Sequence, residues 1–105
     1  MPLILKKSKR TNKKYVVKDG TRTVHFGDDR YRDFTLMNDR NSKYYEANPN
    51  ERQRIKANYR RRHKGDNLEN PFSAGALSYY LLWNKPSLKQ SIKDYENKFN
   101  IKIKL

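Results

Sequence analysis

Residues 70–87, NPFSAGALSYYLLWNKPS, form the densest apolar run in the chain, and their periodicity decides the fold. Ser73 or Asn70 can accept the open N–H groups at a helix start, and helix-compatible residues follow to about Trp83. On that helix Phe72, Ala76, Tyr79 and Trp83 share one face, broadened by Leu77, Tyr80 and Leu81. Pro86 ends the segment. Ser87 then opens a second helix, with Gln90 three residues on as in a capping box. Leu88, Ile92, Tyr95 and Phe99 follow at spacings of four, three and four, a core stripe. A helical hairpin over 73–83 and 87–99 is expected.

Upstream, Asn48-Pro49-Asn50 reads as a helix start with Asn50 as cap. Good helix formers run from Glu51 to about His63, and Gly65 stops them. Only Ile55 and Tyr59 mark an apolar stripe, so this helix rests on the domain instead of centring it. Residues 38–50 read as a loop or short helix. Further back, Tyr15–Val17 and Thr21–Phe26 are β-branched and aromatic, joined through Asp19-Gly20, a type I′ pair. Alternation sets Val24 and Phe26 with Arg22, and Thr23 with His25 on the opposite side. Gly27-Asp28-Asp29 breaks the run, and YRDFTLM (31–37) is expected to supply a third strand. The terminal IKIKL alternates and suits an edge strand. Residues 1–13 read as an extended basic arm. The expected architecture is α+β: a small N-terminal antiparallel hairpin or three-stranded sheet packed on two or three short helices. A single domain spans 14–105, preceded by the arm.

Only 34% of the 105 residues are hydrophobic and the mean hydropathy is −1.23, so the core must be small. Eight Tyr, four Phe and one Trp compensate, because each buries a large area. The net charge is +14. Residues 1–14 carry +6, 15–38 carry 0, 39–66 carry +5 and 67–105 carry +3, which sums to that value. Such charge favours a polyanionic or acidic partner. The absence of cysteine excludes a disulfide scaffold or thiolate zinc site and suits a reducing compartment. MPLIL is too short for a leader's apolar region and precedes the positive charges. No run is long enough to span a bilayer, so a soluble or assembly-bound protein is expected.

Catalytic patterns are missing. His25 and His63 lie in different elements, without carboxylates at metal-ligand spacing. Asp28-Asp29 reads as an exposed turn, with no further acid to complete a magnesium site. The four glycines are scattered, so no phosphate-cradling loop forms, and Ser73 and Ser78 have no base in view. No enzyme, cofactor or small-molecule substrate is expected. Tyr79, Tyr80 and Trp83 could stack on bases, but their spacing beside Leu77, Leu81 and Leu82 favours core packing. Tyr44-Tyr45, in polar surroundings, are better candidates for an exposed contact.

The basic cluster Arg60, Arg61, Arg62, His63 and Lys64 exceeds what offsetting a helix dipole requires. Successive arginines point around a helix, so they cannot all grip one groove, but they can clamp phosphates or carboxylates from several directions. With Lys6, Lys7, Lys9, Arg10, Lys13 and Lys14 they form the candidate binding set. No helix-turn-helix or zinc-finger spacing points to sequence-specific reading.

KKYVVKDGTRTVHFGDDRYRDFT, then RRRHKGDN, then NPFSAGALSYYLLWNKPSLKQSIKDYENKF together resemble a family of small basic proteins encoded by large nucleocytoplasmic DNA viruses. The resemblance covers about residues 14–99. It runs through Tyr15, Asp19-Gly20, Val24, Phe26-Gly27, Tyr31, Phe34, Arg62-His63, Ser73-Ala74-Gly75, Leu82-Trp83-Asn84-Lys85 and Ser87. It implies a virus-encoded, virion-associated protein, and of its positions only Arg62-His63 and Lys85 look like surface contacts. Two functions follow as expectations. The first is a non-enzymatic minor capsid or cement protein, bound to capsid proteins through its basic faces and arm. The second is a virion protein that neutralises packaged DNA or RNA without sequence specificity. Either would reside in the virion, and in host cytoplasm or nucleus during assembly. A free tail of six cations is mobile, so an ordered arm would favour the capsid function.

Overall fold

The computed structural model describes residues 2–105. Four strands form one sheet: β1 (Leu3–Lys7), β2 (Tyr15–Asp19), β3 (Arg22–Phe26) and β4 (Ile103–Lys104), in the order β3-β2-β1-β4. β1 and β3 each run antiparallel to β2, and β4 lies parallel to β1. The helices are α1 (Phe34–Met37), α2 (Pro49–His63), α3 (Ala74–Leu77) and α4 (Leu88–Phe99), with a π-helical turn over Ser78–Leu82 continuing α3.

The α+β architecture is as the sequence indicates, but the sheet is assembled differently. Its third strand comes from within the expected arm: Leu3 and Leu5 are 3% and 2% exposed, and Leu5 pairs with Val17, which pairs with Val24. Alternation in LILKK places two leucines inward, and their burial contributes roughly 1.5–3 kcal/mol each. The 1–13 arm is thus corrected to an inner strand followed by a turn. The 31–37 segment is instead helical from Phe34. Asp33 caps it, its carboxylate accepting from Leu36 N–H at 2.9 Å, which turns the chain before a strand can form. The hairpin turn also shifts by one residue. Asp19 pairs with Arg22, so Gly20 and Thr21 are central, and only Gly20 has a positive φ, +60°. That pattern is type II′.

Asn48, not Asn50, caps α2, accepting from the N–H groups of Asn50 and Glu51, with Pro49 opening the helix. Ser73 caps α3 and Ser87 caps α4, accepting from Gln90, as the sequence indicates. The π-helical turn changes the expected face. A wider turn brings Leu77, Leu81 and Leu82 inward, each at most 1% exposed, and leaves Tyr79 and Tyr80 half-buried. Tyr95 lies beneath them, fully buried, its hydroxyl donating to the Pro71 carbonyl at 2.6 Å. Asn100 ends α4 in the left-handed region at φ 55° and releases IKIKL towards β1.

Candidate polyanion-binding surfaces

The sheet register sorts the basic residues of the first strands. Leu3, Leu5, Val17, Val24 and Phe26 face the helices. The opposite positions are Ile4, Lys6, Val16, Lys18, Thr23, His25 and Lys104, with three lysines and no acid among them. Ser8 follows β1 and bonds His25 Nδ1 at 2.7 Å. Its oxygen also accepts the Arg10 N–H at 3.0 Å, leaving the hydroxyl proton free for the imidazole. Desolvation, then the charges of Arg10, Lys13 and Lys18, lowers the His25 pKa. Lys6, Lys18 and Lys104 project from this face, and Arg10 and Lys13 lie on the turn at its edge, where Lys13 also borders Lys7, Asp29 and Asp33 on the helix side. Sequence reasoning had named Lys6, Arg10 and Lys13. It had missed Lys18 and Lys104, although alternation in VVKD and IKIKL marks both as outward.

The remaining predicted residues divide. Lys14 is not available to a partner, because its ammonium lies 2.6 Å from the Asp33 carboxylate, which is 1% exposed. Asp33 also accepts from the Thr35 hydroxyl at 2.6 Å, so this buried charge is fully engaged. Lys7 projects on the helix side beside Lys13, and Lys9 stands exposed in the 8–14 turn. Arg60 turns inward, donating to the Trp83 carbonyl at 2.8 Å with its guanidinium 4.0 Å from the Tyr79 ring centre. Arg61 bonds the Asn58 side chain. His63 stacks on Tyr59 at 4.2 Å and pairs with Asp66 at 2.8 Å. Lys64 is exposed beside Asp66, Leu68 and Lys98. Lys85 is exposed near α2, where its charge and that of Arg60, after desolvation, lower the Lys56 pKa. Of the expected five-residue anchor, Arg60 is an internal strut and His63 pairs with Asp66, while Arg61, Arg62 and Lys64 are exposed without an acidic partner among the described residues.

A second surface is a cleft of about 420 Å³. Its floor is Gly27, Ile55, Leu82 and Trp83, and its rim carries Tyr31, Arg32, Arg54, Asn58, Arg62 and His63. Every third or fourth residue of α2 faces it, which is why Ile55, Asn58, Tyr59 and Arg62 appear together. Tyr59 stacks on Trp83 at 4.2 Å with 8° between the rings. Burial, aided by the Asp66 charge and opposed by Arg62, pushes the Tyr59 hydroxyl up to about 12, so it stays a neutral donor. Asp28 is the one carboxylate in the lining, and Arg30 grips it with hydrogen bonds of 3.0 and 2.8 Å that hold its pKa down at about 2. The Asp28-Asp29 pair is a turn closed by its own arginine. Tyr44, an expected exposed contact, instead donates to the Asp29 carbonyl at 3.3 Å, while Tyr45 is exposed. Tyr31 and Arg32 stand on the loop after β3, whose path no local pattern gives, and Arg54 lies on α2 beside Ile55.

Among the described residues no cluster of three or more His, Cys, Asp or Glu could hold a metal ion, and no helix is long and apolar enough to cross a membrane. No protein-family model, curated protein or solved structure matches the chain.

Proposed function

We propose that the protein is a non-enzymatic binder of nucleic-acid phosphates, acting without sequence specificity. The observation that carries this reading is the side of the sheet turned away from the helices, where Lys6, Lys18 and Lys104 project with no acid among them and the adjoining turn adds Arg10 and Lys13 at its edge. Flexible lysines on a flat face suit a phosphate backbone, which is sampled by charge, and offer no fixed fork for base edges. The setting proposed is the virion of a large DNA virus, which rests on the resemblance of residues 14–99. The capsid alternative drew its preference from an arm that would need a partner to be ordered. Leu3–Lys7 finds its partners in β2 and β4, so that reason falls away.

Duplex binding across a salt series tests the proposal. Five cations meeting phosphates give a log–log slope of about −4 to −5. Reversing Lys6 and Lys18 to Glu should weaken the duplex at least tenfold near physiological ionic strength and flatten the slope by about 2. Binding that vanishes at that ionic strength, or reversed variants that bind as before, would overturn it and return acidic capsid surfaces to the front.

A further inference from the structure

The cleft between α2 and the Gly27–Arg32 loop differs in chemistry from the flat lysine face. Apart from Lys14 its lysine and arginine lining is all arginine, its walls include Tyr31, Tyr59 and Trp83, and it is concave. Arg32 and Arg62 reach it from separate elements and have no acidic partner among the described residues, whereas Arg54 is paired with Glu51 and Lys14 with Asp33. Tyr31, on the same rim, is 65% exposed, large for an aromatic ring in a chain this short of core. The Ser78 hydroxyl and the Asn58 amide also line the space, and the Asn58 oxygen is occupied by Arg61, which leaves its N–H₂ group to donate.

From this arrangement we infer that the cleft is a single-strand site, taking one nucleotide of an unpaired nucleic acid. The phosphate lies between the Arg32 and Arg62 guanidinium groups, whose planar forks match phosphate oxygens. The base lies against Tyr31, over the apolar floor of Ile55, Leu82 and Trp83. A volume of about 420 Å³ lies within the range of small-ligand pockets and accepts a nucleotide but not a duplex. In a duplex the bases are stacked inside and only the backbone is presented, so the duplex is left to the lysine face. The site deepens the proposed phosphate binding and rests on it for the ligand class, but occupies different residues, so the two can fail separately.

Trp83 provides the readout, because it is the single tryptophan of the chain and forms the cleft floor. A short oligothymidylate and a duplex of equal length are titrated at equal salt while Trp83 emission is followed. The oligothymidylate should change the emission at saturation and the duplex should leave it nearly unchanged. Arg32→Lys with Arg62→Lys keeps the net charge but removes both forks. It should weaken the oligothymidylate about tenfold and change duplex affinity by less than about twofold. Tyr31→Ala, at an exposed position whose loss leaves the core intact, should give the same selective loss. Circular dichroism confirms that each variant is folded. Emission unmoved at saturation, equal losses for both ligands, or inorganic phosphate competing as well as the oligonucleotide would each overturn the single-strand site. Loss of duplex binding alone in Lys6→Glu/Lys18→Glu concerns only the sheet face.

Discussion

Arg60 donates to the main-chain carbonyl of Trp83 across 2.8 Å while its guanidinium covers the Tyr79 ring. The most conspicuous arginine run in the chain therefore contributes one of its members to holding the π-helical turn against α2. The carbonyl lies where the turn ends, among groups that helices leave unsatisfied. Arg60→Ala should cost about 2 kcal/mol through loss of a charge-assisted hydrogen bond and its aromatic contact. Arg61→Ala should stay within about 0.5 kcal/mol, as exposed substitutions do. Urea unfolding of the two variants checks the contrast, and equal effects would refute the assignment.

The buried pair of Lys14 and Asp33 joins the start of β2 to the cap of α1. Asn caps a helix as well as Asp does, so Asp33→Asn preserves the cap and removes only the charge. Lys14, 10% exposed, is then left without its counter-ion. A loss of roughly 3–5 kcal/mol is expected, enough to unfold much of so small a domain. Unfolding curves coincident with those of the unsubstituted protein would mean that Lys14 is solvated.

Gly27 and Gly20 both hold positive φ, +78° and +60°, yet their surroundings differ. A Cβ on Gly27 would sit 2.8 Å from Leu82 Cδ1 and 3.2 Å from Lys14 Cβ, whereas one on Gly20 meets nothing within 4 Å. Gly20→Ala should cost about 1–2 kcal/mol, the left-handed penalty alone. Gly27→Ala should add about 1–3 kcal/mol of overpacking and displace the cleft floor. Thermal unfolding of the pair, with Trp83 emission alongside, separates the two costs.

His25 reports on the sheet face. Its folded pKa lies below the ordinary histidine value, so the unfolded chain binds the proton first and stability from this group is lost as pH falls below about 6.5. Phosphates arriving beside Arg10, Lys13 and Lys18 reverse the local field. The His25 pKa, followed by proton NMR, should rise when duplex DNA is added. An unchanged His25 pKa at saturation would place the duplex elsewhere.

The helical part of this fold was legible because caps and stripes are local: Ser73, Ser87 with Gln90, and Leu88-Ile92-Tyr95-Phe99 each specify their geometry within a few residues. The sheet was less legible. Leu3 and Leu5 alternate correctly, but their partners Val17 and Ile103 lie far along the chain, and the adjacent lysines mask the pattern. The π-helical turn has no local signature, and the Arg60 hydrogen bond that meets its end comes from a residue 23 positions away. The site was half visible for the same reason. Charge could be counted, but whether a cation faces solvent or an internal carboxylate depends on tertiary pairing, as Lys14 and Arg60 show.

β4 accompanies β1 only along Leu3 and Ile4, so no strand runs beside Leu5–Lys7 on that side. Such a margin invites the strand of a neighbouring molecule, and Lys6 and Lys7 stand there as like charges that keep copies apart. Lys6, proposed to meet phosphate, would therefore also belong to the guard against self-association. A polyanion that neutralises it lowers that guard, so crowding on nucleic acid would encourage edge-to-edge growth that the free protein resists.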